Sequence, residues 1–285
     1  MVKIAAMGDN VVDCYVARGE MFPGGNCLNL SIYVRRFGGS AAYVGAIGKD
    51  RAGDVILQAL LAEGVDVSRL RRIDGPTDYC AIGHRGAERV FLSSDPGVSM
   101  FAPAAEDFQY LEAFDAVHIG QSSGLDAYVP EAARRTLLSY DFSTRSDPDH
   151  KRCIAPHCFL ASISASDLTE ANAQSVSIEL LEAGARWVLA TRGPLGAVLT
   201  GPEGRFDVAA EPVEPVDTLG AGDTFVGRTL FGLLKGENPQ LVIRAAAGAA
   251  ARTCLHFGSI GYGAEIDLSG YAERGRPVVL RPAPT

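Results

Sequence analysis

The stretch "VDTLGAGDTF", residues 216–225, sets two acids around a Gly-Ala-Gly turn. It runs into a helical pattern at Phe225, Val226, Thr229, Leu230, Leu233 and Leu234. Gly220, Ala221 and Gly222 thus fall at a helix amino terminus, where free N–H groups and the positive dipole end seat an anion. Small side chains let a ligand come close to that backbone. A carboxylate at 223 repels a phosphate, so its presence needs a reason. Either Asp217 and Asp223 cap the helix, or Asp223 accepts a proton from an alcohol attacking a phosphoryl group held by the turn.

A second set lies near the amino end. "GDNVVDCY" brings Asp9, Asn10 and Asp13 after a first strand, and "FPGGNCLNL" opens a helix with Gly24 and Gly25 and carries Asn26 and Asn29 on its first turn. Asp accepts and Asn both donates and accepts, so together they suit a polyhydroxylated ligand. Turn and cap chemistry explains any one of them equally well. In "TRGPLGAVL", residues 191–199, Gly193 and Gly196 follow an apolar strand and either admit a nucleotide or turn the chain between strands. His150, Cys153, His157 and Cys158 invite a zinc site, but the gap between the cysteines is wider than a usual knuckle and no second pair follows. No GxGxxG follows the first strand, which argues against a dinucleotide fold.

The elements that must position these residues are legible as an alternation. Apolar runs at 4–8, 41–47, 116–120, 139–142, 159–163 and 187–191 read as buried strands. Helical spacing separates them, as at Leu30, Tyr33, Val34 and Phe37, or at Ile56, Ala59 and Leu60 before the C-cap glycine Gly64. This predicts an α/β fold with a mainly parallel sheet, whose ligands bind beyond the carboxyl ends of the strands. Residues 78–94 break the pattern and read as a β-hairpin. With the irregular segment 14–25 they would form a small flap. The expectation is one domain over 1–285, with lid segments at about 14–24 and 77–97 inserted in it.

The chain has 285 residues, 47% hydrophobic and 21% charged, with a net charge of -8. That charge argues against nucleic acid or anionic lipid as a partner. Six scattered cysteines and no signal-peptide layout point to a reducing cytoplasm, and no apolar run nears the roughly 20 residues of a membrane span.

At this point the motifs resemble those of the ribokinase/PfkB sugar kinases. "DTLGAGDTF" is similar to their carboxyl-terminal signature DTxGAGD, and "GGNCLNLSIYVRRFGGSAAYVGAIGKDRAGD" to their amino-terminal signature. "GDNVVDCY", "FPGGNCLNLSIY", "ERVFLSSDPGV" and "FDAVHIG" look most like the fructoselysine 6-kinase branch. The resemblance implies a ribokinase-like fold with a small β lid, and transfer of the γ-phosphoryl group of ATP, with Mg²⁺, to a primary hydroxyl of a sugar. By position Asp223 would be the base, with Gly220, Ala221 and Gly222 as anion hole. Asn10, Asp13, Gly24, Gly25, Asn29 and Arg89 would bind sugar, and Thr191, Gly193, Gly196 and Arg145 would meet the nucleotide. Asp217 would hold a monovalent cation such as K⁺. Asp167, in "SASD" where relatives carry NxxE, would place Mg²⁺ through water. The favoured acceptor is the 6-hydroxyl of a fructosamine such as fructoselysine. The alternatives are a fructokinase, a ribokinase, a nucleoside kinase or a non-catalytic sugar or nucleotide sensor. A homodimer through the lid strands is also expected.

Overall fold

The structure is a computed structural model that describes residues 1–85, 88–145 and 147–269, with only the backbone of 84, 85, 88 and 89. In chain order its elements are β1 (Lys3–Met7), β2 (Val11–Tyr15), β3 (Glu20–Gly24), α1 (Asn26–Arg36), β4 (Ser40–Gly48), α2 (Arg51–Ala62) and β5 (Leu70–Ile73). There follow β6 (Tyr79–Arg85), β7 (Glu88–Asp95), α3 (Ala105–Leu111), β8 (Ala116–Gly120), α4 (Val129–Arg135), β9 (Leu137–Asp141) and α5 (Pro148–Ile154). The chain continues with β10 (Cys158–Ser164), α6 (Glu170–Glu182), β11 (Trp187–Thr191), β12 (Ala197–Gly201), β13 (Gly204–Val208), α7 (Ala221–Leu234), α8 (Pro239–Thr253) and β14 (Ala264–Glu265).

Nine strands form one sheet in the order β13-β12-β11-β10-β9-β8-β1-β4-β5, parallel except where β12 pairs antiparallel with β11 and β13. Side chains alternate across a strand. In β1, accordingly, Ile4 and Ala6 enter a core shared with α1, α7 and α8, while Ala5 and Met7 enter a second core with Val117, Leu138 and Leu180. Strands buried on both faces need continuous apolar runs, which is why the sequence marks them so plainly. The six predicted strands agree with β1, β4, β8, β9, β10 and β11 to within two residues at each end. Gly64 closes α2 with φ +69°.

A second sheet, in the order β14-β3-β2-β6-β7, holds the predicted hairpin as β6 and β7. The segment 14–25 is not irregular as expected: β2 and β3 form an antiparallel pair there. Pro23 hides this strand in the sequence, because proline cannot donate to a ladder. It stands opposite Val12, whose own N–H goes to Asp78 O on the other side at 2.9 Å. The sheet packs on the body through Tyr15, Phe22 and Ile82, against Leu219 and Phe257. This brings it to the loop that precedes α7.

Candidate active site

The amino terminus of α1 is built from two directions. Gly25, with φ +108°, is the N-cap and offers no side-chain oxygen. A Cβ there would lie 2.6 Å from Asn10 Cα, so only glycine fits. The missing cap comes from Asp9, whose carboxylate accepts from Asn26 N at 2.8 Å and Cys27 N at 3.3 Å, and is braced by Ser123 Oγ at 2.9 Å. Asp9 therefore complements the dipole of a neighbouring helix. With its first turn fixed, α1 projects Asn26 and Asn29 toward α7.

Asp223 sits on the first turn of α7, and its carboxylate accepts from Asn26 Nδ2 at 2.8 Å and Asn29 Nδ2 at 2.6 Å. It is thus not a helix cap. Asn26 Nδ2 also donates to Asp141 Oδ2 at 2.8 Å, so one amide bridges two carboxylates from different strands and helices. Burial raises Asp223 to about 7; the Asn29 bond opposes this and the Asp141 charge adds to it. Asp141, at the end of β9, is likewise raised by burial, although Ser143 N and Ser162 Oγ donate to it. A carboxylate poised near neutrality matches what a general base needs.

The turn before α7 faces this pair. Gly220 is the N-cap in the left-handed region, φ +78°, and a Cβ on it would meet Ser259 Oγ at 1.9 Å. A Cβ on Gly222 would meet nothing within 4 Å among the described residues. The side of the α7 terminus at Gly222 is therefore open, while the first N–H, that of Ala221, reaches Thr218 O at 3.4 Å. Asp217 is held behind the turn: it accepts from Leu219 N and Gly258 N, each at 3.0 Å, and from the Tyr15 hydroxyl.

The other predicted residues divide between the site and its support. Asn10 is fully buried and spends its amide on Tyr43 OH, Ala46 O and Ser99 Oγ, so it braces the end of β1 rather than lining an open site. Asp13 is buried on β2 opposite Phe22, and a Cβ on Gly24 would lie 2.2 Å from its Oδ2. The Arg89 side chain lies outside the described residues. Near Asp13 stands a carboxylate not singled out from the sequence, Asp78. Burial and the charges of Asp9, Asp13 and Asp95 raise it to about 8.

On the far side, Thr191 ends β11 and its hydroxyl reaches Ile163 O at 3.4 Å. Gly196 turns the chain into β12, and a Cβ there would lie 1.9 Å from Val208 O, so its close approach is to the protein's own backbone. Gly193 is exposed near Ser166, which places the exposed Asp167 beside this turn. Arg145 pairs with Asp126 at 3.4 Å and Asp147 at 3.8 Å. Of the residues weighed for zinc, His150 turns to Asp126 at 3.0 Å and Cys158 Sγ to Ile154 O at 3.4 Å.

Sequence reasoning missed His118 and Ser139. His118 Nε2 lies 2.8 Å from Asn26 Oδ1 and its Nδ1 2.9 Å from Ser139 Oγ. One signal was available: a histidine within the apolar run "AVHIG", where a polar side chain must find a partner.

A doubly covered parallel sheet, a small sheet at its edge and a buried acid at a glycine-opened helix terminus define a phosphotransferase-like centre. The chain belongs to the pfkB family of carbohydrate kinases, whose description, "pfkB family carbohydrate kinase", matches residues 2–265. It is similar to fructosamine kinase FrlD of Bacillus subtilis (strain 168), 31% identical over 267 residues covering 92% of this chain and 94% of that one. Fructoselysine 6-kinase of Escherichia coli (strain K12) is 30% identical over 261 residues, covering 91% and 100%. The fold matches that of ribokinase from Arabidopsis thaliana, solved with ribose and ATP, with a TM-score of 0.80, 17% identity and coverage of 96% and 98%. The protein is therefore a sugar kinase of ribokinase-like fold.

Proposed function

We propose that the protein transfers the γ-phosphoryl group of ATP to the 6-hydroxyl of a fructosamine such as fructoselysine. The observation that carries this is Asp223, a buried carboxylate raised to about 7, set next to Gly222, whose Cβ position is open among the described residues. In this proposal the sugar lies between α1 and the small sheet, with Asp13, Asn29 and Arg89 toward its hydroxyls. Asp223 takes the proton of the attacking hydroxyl, and the α7 terminus stabilises charge on the transferring group. Thr191, Gly193 and Gly196 border the nucleotide, and Arg145 leaves its two aspartates for a phosphate.

Mg²⁺ supplies neutralisation of phosphate charge when bound. Asp167 fits it as an exposed hard-oxygen donor beside the 191–196 turn. Asp217 would meet a monovalent cation behind the turn with its carboxylate oxygens, whose orientation Leu219 N, Gly258 N and the Tyr15 hydroxyl fix. The second sheet acts as the lid, and the lid strands pair two chains into a dimer.

The amine is favoured by the acids near the sugar. A fructosamine carries a secondary ammonium that fructose and ribose lack, and Asp78, held protonated up to about 8 by burial and the neighbouring acids, would ionise beside such a cation and pair with it. The kinase names of the relatives at 31% and 30% identity point the same way. A panel of fructosamines, fructose, ribose and nucleosides assayed for ADP release tests the proposal. Fructoselysine should give the highest kcat/KM, and indifference to fructosamines would sink the choice of acceptor.

A further inference from the structure

Behind Asp223 lies a buried imidazole that the proposed reaction does not use. An amide oxygen only accepts, so His118 Nε2 must carry the hydrogen in its 2.8 Å bond to Asn26 Oδ1. Its Nδ1 then accepts from the Ser139 hydroxyl at 2.9 Å. Asn26 has one amide hydrogen for Asp141 and one for Asp223, both at 2.8 Å. The opposite amide orientation would aim an oxygen lone pair at two carboxylates. Hydroxyl, ring, amide and acids thus form one directed chain, in which each bond polarises the next. Gly120, at the end of β8, keeps the seat open, since a Cβ on it would lie 2.4 Å from Asn26 Oδ1.

We infer that His118 is a positioning residue whose Nε2–H locks the Asn26 amide, so that Asn26 holds the Asp223 carboxylate in place for the acceptor hydroxyl. The inference rests on Asp223 being the base. His118 is fully buried, and burial pushes its ring down to about 4, which leaves it a neutral donor at working pH. Asp141, Asp9 and Tyr33 are the titratable groups that face Asp223, and Asp9 is the charge that faces His118. Without the ring donor the Asn26 amide is free to turn, its bond to Asp223 weakens, and the base ionises at higher pH. Because Asp141 shares the amide, the acid limb of the rate profile reports the pair.

His118→Leu, His118→Gln and Asp223→Asn are compared by the pH dependence of kcat and kcat/KM, with melting curves alongside. His118→Leu should lower kcat about ten- to a hundredfold, as loss of a ligand-orienting group does. Its acid limb should move to higher pH while the sugar KM stays near that of the unaltered enzyme. His118→Gln, which returns an N–H donor near the Nε2 position, should restore both kcat and the limb. An unshifted limb with full kcat in His118→Leu overturns the inference, as does an equal loss in His118→Gln. Full activity in Asp223→Asn is a separate failure, that of the base itself. The unaltered protein gives a further test: its assigned His118 ring should show the neutral Nε2–H tautomer by ¹⁵N NMR at pH 7, and an Nδ1–H or doubly protonated ring overturns the inference.

Discussion

In the proposed reaction Asp223 answers two opposed demands on one side chain. Burial favours its protonated form, whereas base catalysis needs the ionised one. Its ionisation is raised from 3.8 to about 7, so kcat/KM should climb as pH rises through about 7. The sign for stability is the reverse. A carboxyl raised on folding contributes most below its unfolded value, and the contribution is lost as pH rises from about 4 to about 7. Asp223→Asn should therefore lose about a hundred- to ten-thousand-fold in kcat yet melt higher than the unaltered protein above pH 7. Asn29 Oδ1 is buried without a partner among the described residues, so a turned Asn29 amide can accept from the side chain introduced at 223. A melting difference that does not grow between pH 5 and pH 8 would contradict the buried charge. Asp78 gives a residue-level test of the acceptor: Asp78→Asn should raise KM for a fructosamine about tenfold, about 1.4 kcal/mol, and leave fructose unchanged. Equal effects on both substrates would remove the ammonium from the argument.

Among the elements, the α7 terminus separates folding from function at two glycines. Gly220 is required by its backbone: alanine there would cost about 1–3 kcal/mol in strain besides the contact with Ser259 Oγ. Gly222 lies inside the helix, where alanine is intrinsically better by about 1 kcal/mol, and open space surrounds its Cβ position. Gly222→Ala should melt no lower than the unaltered protein but lose turnover, because its methyl group enters the proposed phosphoryl seat. Full turnover would show that the transferring group lies elsewhere. The same elements show what the sequence disclosed. Strands buried on both faces were legible because β1 is apolar from Ile4 to Met7 and β8 is apolar except at His118, and the α7 terminus was legible from its glycines. The β2–β3 pair was hidden by Pro23 and the left-handed turn at Gly19. Asn26 was seen on its helix turn, but its bridge between Asp141 and Asp223 joins residues 115 and 197 positions away, a distance that no local pattern encodes.

For the whole molecule, the proposed lid and the proposed dimer both rest on the second sheet. Among the described residues its order leaves β7 at one edge, and the two-residue β14 covers the other. An edge strand presents backbone groups to another strand, and β7 carries Phe91, 65% exposed. In the large sheet β1 and β8 lie inside, and its edges are β13 and β5. If two copies pair through β7, the hairpin of each is tied down near the acids proposed to receive the sugar, and the order of the proposed lid becomes dependent on protein concentration. Sedimentation equilibrium at micromolar concentration should then return twice the chain mass. Phe91→Glu places a charge on that edge in each copy, so it should return the single-chain mass with a raised KM for the sugar. A single-chain mass for the unaltered protein would dismiss the pairing while leaving Asp223 and its asparagines untouched, because the base, Asn26, Asn29 and Asp141 all come from one chain.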